Sequence, residues 1–448
     1  MKRVLVANRG EIALRIVRAC RKLGLESVAI YSDADENSPH IWAADSAIRI
    51  GPASASKSYL DARIVLEVAK ATKCDALHPG YGFLSERATF AAECVAEDIT
   101  FIGPSFEAIA LMGDKAEARR TAKTCGVPVV PGSDTAFHDP MGATETATMI
   151  GFPILLKARA GGGGRGMRIV SDMTSFTSAF AQASGEAEAA FGDGGIYLER
   201  FIGRIRHIEV QVFGDRHGRI VHLLERDCSV QRRHQKLVEE GPSPVLDDAT
   251  RQAICAAAIK LASAIGYVGA GTVEFIYDAD SQEFYFIEMN TRIQVEHPVT
   301  EMLTGTDLVA EQLRIAAGEP LSFPDSPFAA NGHAIELRIN AEDPDRGFAP
   351  SPGRLTRWRP PEMSGVRVDS HAYSGYDVPP FYDSLLGKLI VHGKDRAQCI
   401  SRALDALDCF EVGGIATTIP FLRWLMVAPD FARATVHTRW VETEFQHA

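Results

Sequence analysis

The period of the apolar positions changes repeatedly along the chain. A short run, VLVAN, is followed by Ile12, Ile16, Val17, Cys20 and Leu23 at helical spacing; Gly24 interrupts the pattern and SVAIYS forms a second run. Strand, helix and strand in that order predict a βαβ unit and a parallel sheet. CDALHPGYGFLSE from Cys74 and ITFIGPS from Ile99 read as later strand-to-loop transitions, where open α/β sheets carry their functional loops. These segments define an α/β domain over residues 1–112. No Gly-x-Gly-x-x-Gly follows the first strand, which counts against a dinucleotide-dependent dehydrogenase.

The pattern then changes. A helical stretch carries Lys115, Arg119 and Arg120, and the prolines of GVPVVPGSD mark a crossing between units. The strand FPILLKA runs into RAGGGGRGM, RIV follows, and IYLERF and HIEVQVF bracket Gly203. Alternation in the last puts His207, Glu209 and Gln211 on one face, expected to meet water or a ligand, and Ile208, Val210 and Val212 on the other. Residues 113–330 read as a mixed α+β domain. GHAIELRINAED opens a third, β-rich unit, residues 331–448.

Composition narrows the class. At about 150 residues per domain, 448 residues fit three domains. Lys and Arg number 47 against 58 Asp and Glu, a net charge of -11, so no global basic field recruits nucleic acid. An anion can bind only where cations gather locally. The eight cysteines are scattered without a CxxC pair, as in a reducing compartment. The apolar run of MKRVLVANRG is too short for a signal peptide, and no stretch is long enough to span a membrane. The chain reads as cytoplasmic.

Four glycines at 161–164 between Arg159 and Arg165 can bring backbone amides close to a polyphosphate, with Lys157 on the strand leading in. A flexible surface hairpin is the plain alternative. In TVEFIYDADSQEFYFIEMN, a turn centred on Ser281 sets Ile276 opposite Phe286 and Glu274 opposite Glu288, with Asn290 on the same face. Carboxylates facing one another destabilise a sheet unless a cation lies between them, and this oxygen set suits Mg²⁺. Phe284 and Phe286 mark that face as partly buried; otherwise both glutamates splay into solvent. In TRIQVEHPVTE, Arg292, Gln294 and Glu296 continue onto the same side, able to bind a small planar anion and remove its proton, or else Arg292 and Glu296 simply pair. Within RRHQK, Arg232 and Arg233 can equally belong to a solvated face. His234 and Lys236 share one side of an extended segment and are the better ligand candidates.

With these motifs, and with MGDK, RINAED and PPFYDSLLGK, essentially the whole chain resembles the biotin carboxylases of the ATP-grasp superfamily, most closely the biotin carboxylase subunit of bacterial acetyl-CoA carboxylase. The resemblance implies a Rossmann-like N-terminal domain, an ATP-grasp domain with a mobile lid over about 131–203, and a C-terminal domain completing the site. It implies an ATP-dependent ligase that carboxylates biotin with bicarbonate through carboxyphosphate, supplying malonyl-CoA for fatty acid synthesis; a propionyl-CoA, methylcrotonyl-CoA or pyruvate carboxylase component is the alternative. ATP would be held by Lys115, Lys157, Gly163, Gly164, Met167, Glu199, Ile202, His207, Gln231 and His234. Mg²⁺ or Mn²⁺ would be held by Glu274, Glu288 and Asn290, and bicarbonate by Lys236, Arg292, Gln294 and Val295. Glu296 would be the base, while Arg338 and Tyr81 would meet biotin. Where Arg159 stands in the lid, members of the family often carry a small residue, and at Ala160 they carry Gly or Ala, so Arg159 is the departure expected to bear on lid closure. No Met-Lys-Met biotinylation motif is present in this sequence, so biotin is expected on a carrier protein, with a carboxyltransferase on another chain, or else on a further part of a longer natural chain. A homodimer is expected; nucleic acid and membrane are not.

Overall fold

The computed structural model describes residues 1–159, 167–324 and 328–445. Strands β1 (Arg3–Val6), β2 (Glu26–Ser32), β3 (Ser46–Gly51), β4 (Ala76–His78) and β5 (Thr100–Phe101) form a parallel sheet in the order β3-β2-β1-β4-β5, and helix α1 (Gly10–Lys22) crosses from β1 to β2. A parallel sheet covered on both faces needs near-continuous apolar strands. Val4 and Val6 accordingly pack under Ile12, Ile16 and the downstream Leu308, while Leu5, Val28 and Ile30 pack with Val65 and Leu77 on the other face. The strand order reverses between β1 and β4, the place where such sheets open a crevice. Asn8 bridges the two loops there, its Nδ2 donating to the Pro79 carbonyl at 2.6 Å and to that of Tyr81 at 2.8 Å. A Cβ at Gly80 would lie 2.8 Å from that nitrogen, and its φ of +63° is in the left-handed region, so glycine is required.

A small antiparallel sheet of β6 (Ile154–Ala158), β7 (Met167–Val170) and β8 (Ile196–Arg200) carries its own core, with Leu156 and Leu198 packed on Phe176 and Phe180. The glycine run, including Gly163 and Gly164, lies outside the described residues.

The remainder is organised by one antiparallel sheet of eight strands. Strands β9 (Ile205–Gly214), β10 (Ile220–Arg232), β11 (Gln235–Gly241), β12 (Gly269–Asp278), β13 (Glu283–Asn290) and β14 (His333–Asn340) are joined by Leu385–Gly393 and Val366–Ser370, in the order β13-β12-β9-β10-β11-β14 and then those two. The segment after 331 therefore has no principal sheet of its own: β14 extends the preceding sheet at β11, pairing Leu337 with Val238 and Ile335 with Glu240. It is also as helical as it is stranded, since Arg396–Cys409 and Ile419–Val427 pack on it.

Two local expectations need correction. In the β12–β13 hairpin, Glu274 does face Glu288, but the register shifts between Glu274 and Phe275, so that Phe286 faces Phe275 and Ile276 faces Tyr285. Ile287 is the extra residue of a β-bulge, and a one-residue slip turns everything beyond it to the other face. Phe284 and Phe286 thus join the core beneath the sheet, and they do not cover the glutamates. Arg233 and His234, with φ of +49° and +66°, form the two-residue turn between β10 and β11, so His234 and Lys236 are not on one extended segment.

Across the β11–β14 junction, Glu240 accepts from His333 Nε2 at 2.9 Å and from Arg396 Nε at 2.6 Å. Burial pushes this carboxyl up, but His333 and Arg396 outweigh it and hold it at about 2 against an ordinary 4.5. Because the folded value is the lower one, the contribution is complete above pH 4.5 and is lost as pH falls towards 2. That difference corresponds to about 3 kcal/mol. Glu240→Gln is expected to lose about that much at pH 7 and to flatten the acid limb of a urea-midpoint profile; an unchanged midpoint contradicts the assignment.

Candidate active site

The site grows from one row of side chains running across four strands. Ladder partners place Arg226 on β10 beside Glu209 on β9, Glu209 beside Glu274 on β12, and Glu274 beside Glu288 on β13. Three adjacent carboxylates repel one another, and Glu209 and Glu274 are 0% and 5% exposed, too buried for water to screen them. Cations answer from both sides. Arg226, fully buried, donates Nε to Glu209 Oε1 at 2.7 Å and Nη1 to Gln211 and Thr300 at 3.0 and 2.8 Å. Lys236, carried over the row by the β10–β11 hairpin, donates Nζ to Glu209 at 2.6 Å, to Glu274 at 3.1 Å and to Glu296 at 2.7 Å. Burial alone would lower the Lys236 pKa; these carboxylates raise it well above the ordinary lysine value.

Glu296 sits at the start of the helix His297–Thr304 with both oxygens taken. Oε1 accepts from Lys236 and Oε2 from Arg338 Nη2 at 3.0 Å. Burial pushes Glu296 up, but Lys236, Arg338 and Arg226 hold it well below the usual carboxylate range. Arg338 reaches it from β14 and also donates Nε to Glu239 at 2.6 Å. Burial raises Glu239 to about 7 in spite of that contact.

A further arc surrounds this cluster. Asn290 and Gln294 donate to Glu274 Oε1 at 2.8 and 3.1 Å, and His207 Nε2 lies 3.1 Å from its Oε2. Gln231 contacts His207 Nδ1 at 3.1 Å. Arg292 donates to Gln294 at 2.8 Å, to Asn290 at 3.1 Å and to Glu86 at 2.9 Å, so it does not pair with Glu296. All these groups except Glu86 line a cleft of about 730 Å³ together with Tyr81, Lys115, His234, Glu288 and Val295.

At the outer end of the row the two glutamates fit a divalent cation. Burial and the Glu274 charge push Glu288 up, so the pair presents hard oxygen donors whose repulsion a cation removes. Lys115 stands 3.9 Å from Glu288 and is 88% exposed. Asn290 has its amide oxygen on Arg292. His207, Glu209 and Glu274 also converge, but Lys236 already supplies the positive charge there.

Comparison with known proteins identifies the scaffold. Residues 1–109 match the model of the biotin carboxylase N-terminal domain, 114–323 that of the carbamoyl-phosphate synthase L chain ATP-binding domain, and 336–443 that of the biotin carboxylase C-terminal domain. The chain is 52% identical over 440 residues to a biotin carboxylase of Nostoc sp., covering 98% of each.

The chain belongs to the biotin carboxylase family.

It is also 49% identical to a pyruvate carboxylase subunit of Methanothermobacter thermautotrophicus, covering 98% of this chain and 89% of that one. The biotin carboxylase domain of Hydrogenobacter thermophilus 2-oxoglutarate carboxylase, solved as a dimer with MgADP, ADP and bicarbonate, superposes with a TM-score of 0.88 at 48% identity, covering 98% and 97% of the two chains. An ATP-dependent carboxylase with ATP, Mg²⁺ and biotin as its cofactors follows from this membership.

Some residues expected at the site stand apart from the cleft. Lys157 pairs with Glu199 on the β6–β8 sheet, Met167 is 47% exposed on β7, and Ile202 is buried against Val130 and Tyr285. Conversely, Arg226, Glu239 and Glu86 were not singled out from the sequence. Arg226 had a readable signal, because alternation assigns Glu209 a charged face and a strand paired alongside must answer it. Glu86 lies more than 200 residues from Arg292 and had none.

Removing a partner from a buried ion pair costs about 3–5 kcal/mol because it strands the other charge. Arg226→Met is expected to lower stability by that amount, against less than about 0.5 kcal/mol for the exposed Arg359→Met. Equal urea midpoints for the two variants contradict a paired Arg226.

Proposed function

We propose that the chain phosphorylates bicarbonate with MgATP and transfers the resulting carboxyl group to biotin, with the residues in the following roles. Lys115, Lys157, Gly163, Gly164, Met167, Glu199, Ile202, His207, Gln231 and His234 hold ATP. Glu274 and Glu288, with Asn290, hold the metal, which when bound neutralises phosphate charge. Lys236, Arg292, Gln294 and the Val295 backbone hold bicarbonate, and Arg338 with Tyr81 receives biotin. The observation that carries the reading is Glu296, a buried carboxylate with Lys236 on one oxygen and Arg338 on the other. An arriving anion competes for both cations, and each contact it takes from Glu296 frees a lone pair and makes Glu296 more basic.

Glu296 takes the bicarbonate proton, and the bicarbonate oxygen attacks the γ-phosphorus, giving carboxyphosphate and ADP. Phosphoryl transfer is chiefly positioning and charge neutralisation, for which Lys115, Lys236 and Arg292 lie at hand. Carboxyphosphate releases CO₂ and phosphate. The phosphate, or Glu296, removes the biotin N1′ proton, and N1′ adds to CO₂ while Arg338 stabilises the ureido enolate.

The chain is taken to be organised as residues 1–112, 113–330 with a lid over about 131–203, and 331–448, the last two sharing the large sheet. It is proposed to work as a cytoplasmic homodimer in the first half-reaction of acetyl-CoA carboxylase, with a biotinylated carrier and a carboxyltransferase as partners. Among the described residues no helix is long and apolar enough to cross a membrane. A propionyl-CoA, methylcrotonyl-CoA or pyruvate carboxylase would use the same cleft.

ADP release is expected to require MgATP, bicarbonate and biotin together, and Glu296→Gln is expected to lower the biotin-dependent rate by about 10²–10⁴-fold while nucleotide still binds. Undiminished turnover removes Glu296 from its role. Equal ADP release when an unrelated carboxylate replaces bicarbonate overturns the whole reading.

A further inference from the structure

Arg338 meets Glu239 through one carboxylate oxygen only. Its Nε donates to Glu239 Oε1 at 2.6 Å, its Nη2 contacts that same oxygen, and Nη2 also donates to Glu296 Oε2 at 3.0 Å. A guanidinium beside a carboxylate frequently takes both oxygens, with two parallel N–H groups to two acceptors. Here Glu239 Oε2 is left over, buried and without a partner among the described residues. An acceptor stranded in that way costs free energy unless a donor reaches it.

One side chain is placed to be that donor. Glu336 on β14 is the ladder partner of Glu239 on β11, so the two leave the same face of the sheet with Cβ atoms about 4.5–5.5 Å apart. Glu336 is fully buried, and neither of its oxygens has a partner among the described residues. Two carboxyl groups so close and so deep do not both ionise. The cations around them are already committed. Lys388 pairs with Glu11 at 3.0 Å and donates to the Val295 carbonyl at 2.9 Å, while Arg338 is divided between Glu239 and Glu296. The helix His297–Thr304, which packs on β14, brings His297, kept neutral by burial and Lys388, and Glu301, paired with Arg15 and Arg367.

We propose that Glu336 stays protonated and donates to Glu239 Oε2, and that this hydrogen bond positions Arg338, confining it to one oxygen of Glu239 so that Nη2 remains beside Glu296 at the biotin subsite. A protonated carboxyl supplies the one donor that both sets of unpartnered oxygens lack. Burial pushes Glu336 well above 4.5, and Lys388 offsets only part of that rise. Without the donor, Arg338 closes both N–H groups onto the two Glu239 oxygens and withdraws Nη2 from Glu296. The role given to Arg338 rests on the biotin-carboxylating reading; the proton on Glu336 does not.

Urea unfolding of the full chain and of Glu336→Gln between pH 5 and pH 7 tests the proton. A carboxyl whose folded value lies above 4.5 contributes in full below that pH, and the contribution is lost as pH rises. The amide of Glu336→Gln keeps a donor and cannot ionise. The folding constant of the unmodified chain relative to this variant is therefore expected to fall about tenfold per pH unit. A ratio constant over that range overturns the proposal. Kinetics test the positioning. Glu336→Met, which removes the donor, is expected to lower kcat for biotin carboxylation about tenfold, as for one lost hydrogen bond, with KM for ATP within about twofold. Glu336→Gln should restore most of that loss. An unchanged kcat in Glu336→Met, or a loss that Glu336→Gln does not restore, overturns the positioning role while the carboxylation reading stands. Should Glu336→Met not fold, Glu239→Gln, which deprives Arg338 Nε of its anion, is expected to show the same fall, and an unchanged kcat there overturns the role. An unmodified chain that carboxylates no biotin overturns the carboxylation reading and the positioning role together, and the urea ratio still decides the proton.

Discussion

A charge buried in protein must meet its opposite, and this molecule buries a whole cluster of them. Glu209, Glu274 and Glu296 surround Lys236, Arg226 closes one end and Arg338 another. None of these groups can be left unpaired without a cost of several kcal/mol, so the elements that carry them are bound to one another. The cluster draws on β9, β10, β11, β12, the start of the helix at His297 and β14. That requirement accounts for a sheet that continues unbroken from the middle of the chain into its C-terminal part.

The same logic extends to the parallel sheet. Lys388, fully buried, donates to the Val295 carbonyl at 2.9 Å and pairs with Glu11 of α1 at 3.0 Å. Glu11 in turn accepts from the Tyr81 hydroxyl. The backbone proposed to hold bicarbonate, the first helix and the loop after β4 are thereby fixed by a single ammonium group. A net acidic chain and a locally cationic cleft are compatible because Lys236 and Arg338, two of the four Lys and Arg side chains that line the cleft, answer buried carboxylates.

Much of this was legible in the sequence wherever a local rule applied. The βαβ opening followed from apolar spacing closed by Gly24, whereas the expected opposition of Glu274 and Glu288 is met only because the extra residue Ile287 offsets a turn centred just ahead of Ser281. The rule failed at Ile287, since a bulge without glycine leaves no mark in a pattern of alternating residues. It failed again at Arg233 and His234, where two non-glycine residues adopt positive φ and make a hairpin turn that their side chains do not announce. Longer-range features were out of reach for a different reason. The β11–β14 pairing joins residues about a hundred apart, and the Arg292–Glu86 contact joins residues more than two hundred apart, so neither follows from periodicity. Charged residues in a strand read as solvent-facing, yet Glu209 and Arg226 are among the most buried side chains in the molecule.

The central claim is that this cluster presents bicarbonate to ATP as a nucleophile, with Glu296 as its base. Transfer of ¹⁸O from labelled bicarbonate tests it most directly, because the oxygen that attacks phosphorus must leave with it. With biotin present, the account predicts one labelled oxygen in the inorganic phosphate for each biotin carboxylated. Phosphate that carries its new oxygen from water would contradict it.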